Sequence, residues 1–184
     1  MKSLHHVPAP GKLNLFLHVT GRRSDGYHLL QSTFMLIDWW DVLNFDLRED
    51  GQLLRQDLGP SLPALDLSLQ AAHALQQASG TSLGALIRVQ KNLPAEAGLG
   101  GGSSDAASTL LALNRLWGLN WPLSRLLPLG QQLGADVPFF LGGRNAWVQG
   151  IGEDITPIQL PAARFAVLKP TQGLETSGIF KSAS

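Results

Sequence analysis

The chain has no cysteine, one tyrosine, two methionines and few charges, with 14 basic and 14 acidic residues among 184. Without cysteine there is no disulfide framework and no thiolate metal site. A formal net charge of zero, with 15% charged and 44% hydrophobic residues, describes a globular and rather apolar protein. It is not the composition of a disordered chain, and it leaves no basic face for nucleic acid. Long hydrophobic runs are missing too, so no segment reaches the length needed to cross a bilayer. The N-terminal "MKSLHHVPAPGKLNLFLHV" is broken by prolines and a lysine, which argues against a signal peptide. A soluble cytoplasmic protein is the expectation, bound to neither membrane nor nucleic acid. His5, His6, His18 and His73 form no ligand-spaced pair, so no protein-held transition metal is expected. The neutral charge says nothing of oligomeric state.

What is present suffices for one good-sized domain, with room for an appendage. "LNLFLHVTG" (13–21), "STFMLIDW" (32–39) and "DVLNFDLRE" (41–49) read as three strands. "EDG" (49–51) reads as a hairpin turn before "QLLRQDL". Asp66 is a good cap for a helix over "LSLQAAHALQQAS" (67–79), with Leu69, Ala72 and Leu75 at helical spacing and Gly80 as its stop. "ALIRVQ" (85–90) is a short strand. The strongest helical pattern is "SDAASTLLALNRLW" (104–117), whose Ala106, Leu110, Leu113 and Trp117 line one face. "LSRLLPLGQQLG" (123–134) predicts a third helix despite Pro128 and Gly130, and "NAWVQGIGE" and "RFAVLKP" predict strands. The class is α+β, with an early strand-rich half and a later helix-rich half.

Between the strand 85–90 and the strongest helix lies the unusual segment. Four of the five residues from Gly98 to Gly102 are glycine, followed by Ser103, Ser104 and Asp105. Strand, glycine-rich loop and helix N-terminus in that order make an anion site, because the first helical N–H groups lack partners and the macrodipole is positive there. Glycines let successive N–H groups turn toward one phosphate chain. Two familiar patterns are excluded. A P-loop needs lysine after its last glycine, and here Ser103 follows Gly102. A dinucleotide fingerprint needs glycine at Ser103 and an acidic residue further on at a distance where none stands.

The run "PAEAGLGGGSSDAA" (94–107) resembles the nucleotide-binding motif of the GHMP kinases. "PGKLNLFLHVTGRRSDGYHLLQS", "LNRLWGL", "LGADVPFFLGG" and "GIGE" extend the resemblance in the same order from Pro10 to Glu153. Jointly they resemble one branch of that family, which phosphorylates the tertiary 2-hydroxyl of 4-diphosphocytidyl-2-C-methyl-D-erythritol in non-mevalonate isoprenoid synthesis. The resemblance implies an N-terminal domain like domain 2 of ribosomal protein S5, here residues 1–160. It also implies a ferredoxin-like C-terminal domain, largely absent, of which residues 161–184 would be the start. Other small alcohols as acceptor, or a catalytically silent nucleotide-binding fragment, are the alternatives.

The same resemblance implies site residues. Lys12 and Asp136 match the catalytic pair, with Asp136 as base and Lys12 orienting it. On their own, a lysine at a strand start and an aspartate beside a turn would be unremarkable surface features. The implied ATP-binding loop comprises Pro94, Ala95, Glu96, Ala97, Gly98, Leu99, Gly100, Gly101, Gly102, Ser103 and Ser104, with Mg²⁺ brought by ATP. Asn14, Tyr27, His28 and Phe180 match substrate-contacting positions, and the adjacent aromatic and imidazole of "DGYH" suit a pyrimidine base. Two residues depart from the family pattern: Glu96 replaces a usual glycine, and Asp66 replaces a common asparagine near the adenine. A carboxylate beside a triphosphate is repelled, so Glu96 is expected to face solvent, with Lys91 the nearest basic residue in sequence.

Overall fold

The computed structural model describes residues 2–169 except Asp25 and Tyr27. Six strands form one sheet and four helices pack with it. The strands are β1 (Ser3–Arg22), β2 (His28–Arg48), β3 (Leu53–Asp57), β4 (Gly84–Gln90), β5 (Ala146–Gly150) and β6 (Asp154–Pro157). The helices are α1 (Leu67–Ser79), α2 (Gly101–Leu116), α3 (Leu123–Leu133) and α4 (Val137–Gly142). This is the α+β class expected. The proposed end of the first domain near residue 160 follows the last strand, but residues 170–184, Phe180 among them, lie outside the described residues.

β2 organises the sheet. It is one strand of 21 residues rather than the two expected, because the break anticipated before Asp41 does not occur. β1 runs antiparallel along one edge of β2. Along the other edge, β5 pairs with residues 30–34 and β4 with residues 42–48. Among the described residues no strand pairs with 35–41 on that side, and the backbone N–H of Leu36 is met there by the Asn145 side chain at 2.9 Å.

The anticipated hairpin across "EDG" is also corrected. The turn forms, but β3 does not pair with β2; β4 lies between them, parallel to β3 and antiparallel to β2. Local turn chemistry cannot see an insertion from more than thirty residues downstream. The strand expected over "RFAVLKP" is absent, since residues 158–169 carry no regular structure. Two short elements escaped sequence reading: β6, which follows β5 through a turn at 151–153, and the six-residue α4.

The helices follow their sequence signals closely. Asp66 caps α1, accepting from the N–H groups of Ser68 and Leu69, and Gly80 closes it in the left-handed conformation. Ala106, Leu110 and Leu113 of α2 are buried against Leu43 and Phe45 of β2 and Ile87 and Val89 of β4 within one core. The strand contributions alternate along each strand as a half-buried sheet requires. Each such leucine or phenylalanine contributes about 1.5–3 kcal/mol on burial. α3 tolerates Pro128 in its interior at the loss of one backbone hydrogen bond. Gly130 lets α3 approach α4, as a β-carbon there would lie 2.7 Å from Leu141 Cδ1.

Gly84, where β4 enters between its neighbours, gives a direct test of the insertion. A β-carbon at Gly84 would collide with the backbone of Gly51 and Gln52, and its carbonyl accepts from the Trp117 indole at 3.1 Å. Gly84→Ala is expected to destabilise the fold by about 1–3 kcal/mol, as overpacking does. A thermal melt should show a midpoint lowered by several degrees; an unchanged midpoint would show that β4 is not wedged there.

Candidate active site

The segment between β4 and α2 is shaped by its surroundings at each step. Glu96 adopts φ 53°, and Gly98 and Gly100 adopt φ 69° and 71°. A positive φ is strained for residues bearing a β-carbon, so Glu96 carries a strain that glycine at this position would avoid. Leu99 is buried, and its carbonyl accepts from the Lys12 backbone N–H at 2.9 Å. That N–H is available because β1 is irregular between Pro10 and Lys12. Gly100 is doubly constrained: a β-carbon would meet the Phe140 ring at 2.8 Å and Lys12 Cγ at 3.3 Å. α2 then starts at Gly101, three residues earlier than its apolar pattern indicates.

Two cavities meet at this loop. One, of about 520 Å³, is lined by every residue from Pro94 to Ser103, together with Lys91, Asp105, Asp66 and the apolar side chains Leu62 and Leu65. The other, of about 490 Å³, is lined by Lys12, Asn14, Leu17, Leu30, Phe34 and Asp136 among others. Gly98, Gly100 and Ser103 line both. Ser104 stands apart from the other loop residues. It is fully buried, and its hydroxyl has no partner among the described residues.

Lys12 and Asp136 come together in the second cavity, with Lys12 Nζ 3.4 Å from Asp136 Oδ2. The lysine side chain is 6% exposed and the aspartate 31%, so the carboxylate keeps contact with water while the ammonium is held by protein. Asn14 Oδ1 accepts from Lys12 Nζ at 2.6 Å, and the Phe34 ring lies beneath the ammonium at 4.4 Å. Phe34 is itself braced edge-on by Phe139 of α4. Asp136 stands at the α4 N-cap position but makes no capping bond with its side chain, which leaves the carboxylate turned to Lys12. His28 opens β2 opposite Arg22. Tyr27 and Phe180 lie outside the described residues.

The first cavity holds a charged group that sequence reading missed. Lys91 pairs with both Asp41 and Asp105, not with Glu96. Glu96 itself is exposed, as expected. Burial disfavours the Lys91 ammonium, but the two carboxylates outweigh it and hold the pKa above the ordinary lysine value. Burial pushes Asp105 up to about 7; Lys91 pulls it down, while Asp41 and Asp66 add to the rise. Asp66 is likewise fully engaged, accepting from Arg55 and the Ser68 hydroxyl as well as from two α1 N–H groups. Arg55 also donates to the carbonyls of Leu62 and Pro63, which fixes the loop forming the far wall of the cavity. No linear spacing signals these pairs, because their members come from separate elements.

Residues 66–144 match the model of the GHMP kinases N terminal domain. The chain carries the GHMP kinase N-terminal domain. It is 65% identical over 182 residues to the 4-diphosphocytidyl-2-C-methyl-D-erythritol kinase of Variovorax paradoxus (strain S110), covering 99% of this chain and 62% of that protein. It is 66% identical over 180 residues to the enzyme of the same name from Albidiferax ferrireducens, covering 98% of this chain and 63% of that protein. A crystal structure of 4-(cytidine 5'-diphospho)-2C-methyl-D-erythritol kinase superposes with a TM-score of 0.70 at 41% identity, over 84% of this chain and 55% of that one. The chain thus spans less than two-thirds of the length of these relatives. Among the described residues no helix is long and apolar enough to cross a membrane.

The raised Asp105 carboxyl makes stability depend on pH. The folded chain holds this proton more tightly than the unfolded chain, so stability falls as pH rises from the ordinary carboxylate range to about 7. Melts of wild type and Asp105→Asn over this interval should diverge, with wild type losing stability relative to the variant by up to about 1.4 kcal/mol per pH unit. Above the interval the two should run parallel. Identical profiles throughout would remove Asp105 as the titrating group.

Proposed function

We propose that the chain binds ATP along the glycine loop and transfers its γ-phosphoryl group to the 2-hydroxyl of 4-diphosphocytidyl-2-C-methyl-D-erythritol. The observation that carries this reading is the wall shared by the two cavities. A triphosphate lying along residues 94–103 would end at Gly98, Gly100 and Ser103, where the Lys12–Asp136 cavity begins. The unpartnered N–H groups at the start of α2 supply donors for phosphate oxygens. Mg²⁺ arrives with ATP and offsets charge on its phosphates. The names of the relatives support the choice of acceptor.

In this mechanism the chain mainly positions and stabilises charge, since phosphoryl transfer passes through a loose transition state. Asp136 accepts the proton of the attacking hydroxyl and aims it in line with the γ-phosphorus. Lys12, fixed by Asn14 and Phe34, orients Asp136 and lies close to the transferring group. Asn14 contacts the acceptor beside Lys12, while Tyr27, His28 and Phe180 hold its cytidyl end, with the aromatic groups stacking on the base.

Calorimetry with Mg·ATP, followed by an assay of ADP release with and without the cytidyl substrate, tests the reading. Asp136→Asn should lower kcat by at least ~10² while the KM for ATP stays within a few-fold. Retention of more than a tenth of wild-type kcat would remove Asp136 from the reaction. Absence of ATP binding, or ADP release indifferent to the cytidyl substrate, would overturn the function itself.

Glu96 gives a separate handle on the loop. It is exposed at the edge of the ATP cavity and sits at positive φ. Glu96→Gly removes a negative charge and relieves the backbone together. It should tighten ATP modestly at low ionic strength, with the gain shrinking as salt screens the charge. Weaker ATP binding at every salt concentration would mean that Glu96 contributes to the site.

A further inference from the structure

Asp41 is a fully buried carboxylate that the proposed reaction does not use. It lies on β2 immediately before the stretch that pairs with β4, and it lines neither cavity. Its Oδ1 accepts from the backbone N–H groups of Asn92 and Leu93 at 2.6 and 2.8 Å. Its Oδ2 accepts from Lys91 Nζ. Lys91 does line the larger cavity, and its Nζ also donates to Asp105 Oδ2 at 2.6 Å. The ion pair is packed under the first turn of α2. A β-carbon on Gly101 would lie 3.3 Å from Lys91 Nζ and 3.4 Å from Asp41 Oδ2.

We infer that Asp41 is a positioning residue for nucleotide binding, acting through Lys91 and the start of the glycine loop. The inference rests on the reading of that loop as the ATP site. A lysine ammonium on a flexible four-carbon stem is a poor fixed charge by itself. Two carboxylates from different elements hold it in one place, so its ordering is complete before a ligand arrives. The same Asp41 fixes the last residues before Pro94, where the cradle begins. The remaining Asp105 oxygen, buried and without a partner among the described residues, belongs to the same charged wall. A buried carboxylate with these contacts is poorly explained by stability alone, since buried ion pairs are often replaceable by apolar groups without loss.

A double-mutant cycle tests this on the 184-residue chain, read by calorimetric titration with Mg·ATP. Asp41→Asn keeps an oxygen for the two backbone donors but withdraws the charge from Lys91, and Lys91→Gln removes the cation while keeping a donor. Each should weaken ATP roughly tenfold, and the double variant should be no weaker than Lys91→Gln, because the two act as one unit. Additive losses would show that Asp41 acts independently of Lys91 and overturn the inference. Should Asp41→Asn fail to fold, Lys91→Gln carries the test: a tenfold loss, with the amide resonances of Asn92 and Leu93 unmoved, supports the inference. Unchanged ATP affinity in Lys91→Gln overturns it. Failure of the wild-type chain to bind ATP would instead strike the reading of the site, and this inference with it.

Discussion

The Asp41 carboxylate accepts from three donors that all belong to the junction between β4 and the glycine loop. A loop rich in glycine has little conformational preference of its own, so its shape must be imposed from outside. Asp41 fixes its beginning, the Lys12 N–H holds its middle at Leu99, and Phe140 packs where Gly100 lacks a side chain. The gap in the β2 edge between β5 and β4 is where Asp41 reaches this junction. A continuous strand along residues 35–41 would fill that space.

The Lys12–Asp136 pair depends on the same arrangement from the other side. Lys12 belongs to β1 and Asp136 to the turn before α4, and packing of α4 against the sheet brings them within 3.4 Å. Phe139 of α4 braces the ring under Lys12, while its neighbour Phe140 closes on the glycine loop. One six-residue helix therefore couples the carboxylate, the ammonium and the cradle. Its Gly143 cap and its close contact through Gly130 of α3 hold it in register.

Charge is distributed unevenly between the two cavities. Near Asp136 one ammonium faces one partly hydrated carboxylate. Around Lys91 one ammonium faces two buried carboxylates, one of which is pushed toward neutrality. A cavity meant for a polyanion would gain from that neutralisation, since a protonated Asp105 repels phosphate less than a charged one. The negative charge of Asp66 is compensated outright by Arg55 and the α1 N–H groups.

The sequence by itself determined whatever rests on short-range order. That includes α1 with its Asp66 and Gly80 caps, the buried face of α2 through Ala106, Leu110 and Leu113, and the order of strand, glycine loop and helix. The resemblance carried by "PGKLNLFLHVTG" and "LGADVPFFLGG" added the pairing of Lys12 with Asp136, which spacing alone could not supply. Tertiary structure decided the rest. It ran β2 unbroken through Asp41, because distant donors satisfy that carboxylate and remove any need for a solvated break. It threaded β4 between β2 and β3, where turn chemistry indicated a hairpin. It also gathered Lys91, Asp41 and Asp105 under one helix turn. Periodicity and capping report what a residue does to neighbours a few positions away, whereas a buried charge is explained only by the partners that folding brings to it.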